Sequence, residues 1–467
     1  MSKLNFENIN QEEIDIHNKI IVVDAICGKG KTQYALERIV KSNEQFIYVT
    51  PYLDEVDRVK DWCKKHNVKV TEPSFLTDKD KNKRLLKREQ EIITKSEHFK
   101  KLLLEGKNVV TTHALLDKVT LDMLDVIGTH NYTLYLDEVH EVIKTYSLSE
   151  DDFKLLRESK AIEIDPVTKQ VHWVDSNYIS MTGLFTDFKN LCDLGAMYYY
   201  ANNLYMWCFP TTLFNAVNKT IILTYLFEGQ LQAFYYKLYN INYLYRSVAY
   251  NNEQKCYELI PFKKEDVVKD IKEYAPYIDL YEGNMNFYEE VTSLTTTWYD
   301  KVYLEDKTKG MGNLLRLKNF LCNWFWNITK SSSKDCLWTT LKEYKNELKG
   351  KGYTKGFLPL NSRATNYFSD RHNLAYMYNR YLRPIEKQFL QTKGVTVYED
   401  LFSLSELLQW IFRSAIRNKE QVYLYLPSPR MRALLHKWVD LATKYMPDEF
   451  TEKDYAMFHY YNKILKL

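Results

Sequence analysis

The sequence predicts an α/β protein with parallel sheets, and three observations carry that prediction. Short apolar strand-like runs recur along the chain, among them Ile20–Val23, Gln45–Pro51 and Tyr132–Leu136. Runs that are apolar throughout, instead of alternating, suit strands covered on both faces. Segments with helical spacing follow several of them. Residues of chemical consequence stand just after the runs, where open α/β sheets place their ligands.

Bulk properties set the frame. A chain of 467 residues is long enough for two or three domains with their own cores. Hydrophobic residues at 45% and charged residues at 27% are those of a globular protein and exclude a disordered one. The net charge of +3, from 64 basic and 61 acidic residues, neither demands nor excludes nucleic acid, because binding needs a local basic surface. The seven cysteines are dispersed without a CxxC pair, which argues against a disulfide framework or zinc knuckle. The polar start, "MSKLNFENINQEEIDIHNK", lacks the apolar core of a signal peptide. No stretch approaches the ~20 apolar residues of a membrane span. A soluble, cytoplasmic protein with no membrane partner is expected.

The first strand, Ile20 to Val23, leads into a loop with Gly28, Lys29 and Gly30. Lys31 and Thr32 then open a helix that runs through Ala35, Leu36, Ile39 and Val40. Strand, glycine loop, Lys-Thr and helix are the context of a P-loop. Its glycines let backbone N–H groups close around phosphate oxygens, Lys31 reaches the β- and γ-phosphates, and the Thr32 hydroxyl meets Mg²⁺. The first position of the pattern is Ala25 instead of Gly. The run Gln45–Pro51 follows, with a helix from about Leu53, a charged helical region from about Asp78 to Glu105, and the strand "NVVTTHALL". The strand Tyr132 to Leu136 ends in Asp137 and Glu138. One carboxylate there can hold Mg²⁺ while its neighbour orients and deprotonates a water.

Together "AICGKGKT", "YVTP", "VVTTHALL" and "LDEVH" resemble motifs I, Ia, Ic and II of superfamily 2 helicases, in order and spacing. Asp137-Glu138-Val139-His140 looks like the DExH form of motif II. The resemblance implies ATP and Mg²⁺, bound through Gly28, Lys29, Gly30, Lys31, Thr32 and Asp137, with Glu138 as the base. It also implies that Thr50, Pro51 and Thr112 touch nucleic acid and that His140 couples the ATP site to the rest of the molecule. The strand "KTIILTYLFEGQ", ending in Thr224, resembles motif III, although Tyr225 and Leu226 follow the threonine. Residues 145–215 read as an aromatic-rich insertion, whose rings around Tyr198–Tyr200 are better suited to packing than to base stacking.

The second half carries fewer signals, and 250–330 shows no pattern that folds by itself. A strand is expected at Cys336–Thr339, with a helix and a Gly350/Gly352 stop after it. A short strand at Phe357–Leu360 leads into a loop with Thr365 and Asn366 that resembles motif V, a loop facing both ATP and nucleic acid. "QWIFRSAIR", on a helix from Ser405, is close to motif VI, with Phe412 in place of Gly and one extra residue between the arginines. The i, i+4 spacing predicts that Arg413 and Arg417 share a helical face with Gln409. By the resemblance, these arginines face ATP held by the other domain, one as an arginine finger. The expected architecture is two tandem RecA-like domains, 1–240 and 241–467, similar in style to compact helicase-like proteins of phage replication modules. DNA, single-stranded or forked, is the expected partner, with replication proteins beside it. The competing expectations are an NTPase switch or remodeller, and an RNA helicase.

Overall fold

The computed structural model describes residues 19–42, 44–75, 94–178, 183–201, 204–286, 293–360 and 367–443. Two largely parallel sheets lie in tandem, so the expected α/β class holds. Strands β1 (Ile20–Asp24), β2 (Phe46–Thr50), β3 (Val109–Thr112) and β4 (Thr133–Asp137) are the apolar runs read from the sequence, each almost wholly buried. Their side chains pack on both faces, against the helices Lys31–Lys41 and Leu53–Lys65 on one side. Of the charged region expected to be helical, Lys95–Leu104 is a helix, opened by a capping box between Thr94 and Glu97. Residues 76–93 lie outside the described residues.

The insertion starts at β5 (Ile143–Ser147) and contains a hairpin, β6 (Ile162–Ile164) with β7 (Val171–Trp173). Strands β8 (Met197–Ala201) and β9 (Leu204–Cys208) close it as an antiparallel sheet in the order β5-β9-β8. Its aromatic run is packing: Tyr199 meets Tyr205 at 5.8 Å between ring centres, and Tyr198 meets Phe389 at 6.3 Å.

Strand β10 (Lys219–Thr224) returns to the main sheet between β1 and β4. The expected division at 240 is corrected here. Strands β11 (Leu244–Asn251) and β12 (Cys256–Pro261) extend the first sheet, with β11 parallel to β1 and β12 antiparallel at the edge. The physical cause is a further strand–helix–strand step: the helix Leu231–Leu238 carries the chain back so that β11 covers the open edge of β1. The sheet order is β12-β11-β1-β10-β4-β2-β3.

The second sheet joins β13 (Ile278–Leu280), β14 (Cys336–Thr339), β15 (Asn373–Tyr376) and β16 (Val422–Tyr425) in the order β13-β16-β15-β14, all parallel. The strand expected at Phe357–Leu360 forms only a single bridge, Phe357 to Trp338. β15 takes the central place instead. The helix Pro384–Thr392 belongs to the second half of the chain, but Phe389 and Leu390 sink into the first domain's core. No described helix is long and apolar enough to cross a membrane.

Candidate nucleotide site

A cleft of about 960 Å³ opens at the C-terminal ends of β1 and β4, lined by Gly28, Gly30, Lys31, Thr32, Asp137, Glu138, Arg413 and Arg417 among others. Gly28 and Gly30 take positive φ, +89° and +102°, which a side chain resists. The Lys31 ammonium donates to the carbonyls of Ala25 and, at 3.1 Å, Ile26. The Thr32 hydroxyl lies 3.3 and 3.4 Å from the two Asp137 oxygens. Asp137 also accepts from Tyr48 Oη at 3.0 Å and lies 3.8 Å from Arg58. Burial pushes its carboxyl up from the usual range, and Glu138 adds to that, while Arg58, Tyr48 and Lys31 oppose it.

Glu138 stands in the left-handed region with φ 73°, uncommon for a residue with a side chain. Its backbone N–H donates to Leu223 of the adjacent β10 at 3.0 Å, holding that turn. Arg413, from the second half, brings Nη2 to 3.5 Å from Glu138 Oε1. Glu138 Oε2 and Arg413 Nε are buried without a hydrogen-bond partner among the described residues. Unsatisfied groups of opposite charge in one cleft suit a ligand that can both accept and donate. Burial pushes the Arg417 guanidinium down, as do nearby Arg413 and Arg58, although Cys27 opposes this. Crowded cations beside glycine-loop amides favour a polyanion. The converging Thr32 hydroxyl and Asp137 carboxylate are hard oxygen donors of the kind Mg²⁺ takes together with phosphate.

Arg413 and Arg417 reach the cleft by a different route from the expected shared helical face. The helix spans Glu399–Ile411, starting before Ser405 and ending before Arg413. Ser414 Oγ donates to the Ile411 carbonyl at 2.6 Å, and Ser414 itself is extended at ψ −171°. Arg417 then sits on a separate 3₁₀ turn, Ala415–Asn418. Gln409 is absent from the lining of this cleft, and its amide donates to Ser405 Oγ at 3.2 Å. Ser405 also receives Gln230 at 3.3 Å, and Gln230 donates to Thr224 Oγ1 at 2.9 Å. A buried polar chain therefore joins the end of β10 to the helix that leads into the two arginines. Lys29 also leaves the cleft, because its ammonium pairs with Asp270 of the helix Lys264–Tyr274.

A second cleft, of about 550 Å³, lies between the two sheets and is lined by Pro51, His113, His140, Lys144, Lys342, Arg380, Arg383 and Glu386 among others. His140 belongs here, with Nε2 2.7 Å from Asp117 Oδ1. Asp117 is held below the usual range although burial raises it, by His140 and Lys144. Pro51 lines this cleft, but Thr50 is fully buried with its hydroxyl on the Tyr52 carbonyl. That hydroxyl is unavailable to a ligand. Thr112 is half-buried at the end of β3, just before the lining residue His113. Thr365 and Asn366 lie outside the described residues.

The chain is 36% identical over 431 residues to the SPbeta prophage-derived uncharacterized protein YonV of Bacillus subtilis (strain 168), covering 90% of this chain and 99% of the relative. The chain belongs to the YonV family. Residues 143–207, which begin at β5 and end within β9, match the YonV middle domain. Residues 272–439, which hold the second sheet, match the YonV C-terminal Rossmann-like domain. Arg413 and Arg417 thus come from the YonV C-terminal domain, whereas Lys31, Thr32, Asp137 and Glu138 precede both matched segments. Two solved structures overlay most of the chain: one titled XPD helicase, with TM-score 0.44, 11% identity and coverage of 93% and 96%, and S. tokodaii Xpd4, with TM-score 0.47, 12% identity and coverage of 95% and 97%.

Several site residues of this YonV-family chain escape sequence reasoning. Tyr48 and Arg58 hold Asp137, yet one sits inside an apolar strand and the other on an ordinary charged helix. Asp24 ends β1 fully buried and accepts from the backbone N–H groups of Leu226 and Phe227, both at 2.9 Å. It ties β1 to the turn after β10. A buried acid closing an apolar strand was the available signal for it.

Proposed function

We propose that this chain is an ATP-dependent helicase or translocase that moves on nucleic acid, DNA favoured. The observation that supports it most is one cleft holding Lys31, Thr32, Asp137 and Glu138 of the first sheet against Arg413 of the second. In this reading Gly28, Gly30 and Lys31 bind the phosphates of ATP. Thr32 and Asp137 would hold Mg²⁺, which supplies charge neutralisation at the phosphates when bound. Glu138 takes the proton of the attacking water, and Arg413, with Arg417 beside it, neutralises charge building on the γ-phosphate. Because donors and acceptors sit on different sheets, hydrolysis and sheet-to-sheet movement are linked. The second cleft, edged by Pro51 and His113, is where a strand would lie. The prophage origin of the relative is consistent with a role beside phage replication proteins.

One observation favours a second reading, a switch or remodeller without unwinding. Three cations of the second cleft are already matched: Lys144 with Asp117 at 2.6 Å, Arg380 with Glu406 at 3.2 Å and Arg383 with Glu386 at 3.2 Å. Paired cations bind backbone phosphates less well. ATP turnover measured with single-stranded DNA, forked DNA and single-stranded RNA, alongside strand displacement, separates these. Stimulated turnover with displacement is the expected result, and Lys31→Ala removes it. Stimulation without displacement selects the second reading, and turnover indifferent to every polynucleotide sinks both.

A further inference from the structure

Strands β11 and β12 form a hairpin that outruns the sheet. β11 is paired with β1 up to Arg246, opposite Val23, and continues four residues further to Tyr250. Tyr250 is directly opposite Tyr257 of β12, with ring centres 5.1 Å apart at 67°. Both rings therefore stand beside the P-loop, beyond the end of β1, and both line the nucleotide cleft. The Tyr257 ring lies against Gly30 so closely that a Cβ there would come within 2.0 Å of it. Its backbone N–H donates to Glu37 Oε2 at 2.8 Å, which fixes the hairpin to the helix Lys31–Lys41.

The sheet order decides what these rings face. The carboxylates stand on β4, two strands from β1 on one side, and the tyrosines on β11 and β12, on the other side. With strands about 4.8 Å apart, each lies up to roughly 10 Å from the P-loop strand. A nucleoside phosphate whose terminal phosphate meets Asp137 and Glu138 runs across the loop toward the hairpin. We infer that Tyr257, with Tyr250 beside it, is a stacking subsite for the nucleobase, one that accepts purines and pyrimidines with little discrimination. This rests on the nucleotide-binding reading above.

Weak discrimination follows from the neighbours. Reading a base edge requires uncommitted donors and acceptors, but Glu37 is already engaged by the Tyr257 backbone and, at 2.9 Å, by Gln33. Stacking on an aromatic face tolerates every base. The exposed Tyr250 and Lys255 at the hairpin tip leave the subsite open to solvent on that side.

Calorimetric titration with ADP, GDP, UDP and pyrophosphate in Mg²⁺ tests this without turnover. The expected result is that the three nucleotides bind within about tenfold of one another, and all more tightly than pyrophosphate. Tyr257→Ala should weaken ADP at least about tenfold while leaving pyrophosphate unchanged, and Tyr257→Phe should behave as the parent. Equal losses for ADP and pyrophosphate would make the ring only a prop for Gly30 and overturn the inference. So would an unchanged ADP affinity, or binding of ADP alone. Failure of the parent protein to bind either nucleotides or pyrophosphate would instead remove the nucleotide site itself.

Discussion

Two glutamates carry backbone or electrostatic strain that their surroundings sustain. Glu138 keeps a left-handed backbone, a conformation that costs on the order of 1–3 kcal/mol, at the point where a carboxylate must leave the strand end and face Arg413. Glu386 lies in the wall of the second cleft, where burial pushes its carboxyl from an ordinary 4.5 up to about 7 against the pull of Arg383. The sign of the resulting pH effect follows from that direction. Below about 4.5 both folded and unfolded chains hold the proton. Between there and about 7 the unfolded chain ionises while the folded one stays neutral, so stability falls as pH rises. Above that the penalty is constant, on the order of 3 kcal/mol at 1.36 kcal/mol per unit. Urea unfolding should therefore find Glu386→Gln no more stable than the parent near pH 4.5 and more stable by up to about 3 kcal/mol at pH 8. An advantage that shrinks as pH rises would contradict the assignment.

At the scale of elements, the end of β10 is the joint between the first sheet and the second domain. Gln230 touches Thr224, the Tyr225 carbonyl and Ser405, and Ser405 in turn takes Gln409. Gln230→Ala breaks this chain without touching the nucleotide cleft. Basal ATP turnover should stay within a few-fold of the parent, while stimulation by polynucleotide drops about tenfold or more. Equal losses in both would mean a fold defect. This joint also shows what could be read in advance. Buried parallel strands announce themselves by composition, so β1 to β4 and β10 were legible, and so was the glycine loop after β1, because its positive-φ positions demand glycine locally. The destinations of Lys29 and His140 depend on partners 241 and 23 positions away, and Ser405, which takes Gln409, is itself held by Gln230, 175 positions away; spacing alone does not encode these. The break after Ile411 was hidden for a local reason. An i, i+4 pair reads as one face only while the helix continues, and Ser414 ends it by capping backwards onto Ile411.

For the whole molecule, what matters is that the cleft is complete only when both sheets meet. Lys29 pairs with Asp270, Gly28 abuts Tyr274 and Arg417, and Arg413 reaches Glu138. The helix Pro384–Thr392 ties the second half to the first domain, with Phe389 and Leu390 in that domain's core. Arg413 belongs to this boundary, since it is 5% exposed, contacts Glu138 across the cleft and keeps one nitrogen unsatisfied. If it neutralises the γ-phosphate, Arg413→Ala should lower ATP hydrolysis about 10³-fold while ADP affinity changes only a few-fold. Arg413→Lys should recover little, because a point charge does not reproduce the planar fork. Single-turnover hydrolysis alongside ADP titration measures both quantities. Parent-like turnover in Arg413→Ala would mean that the second sheet closes the cleft without taking part in its chemistry.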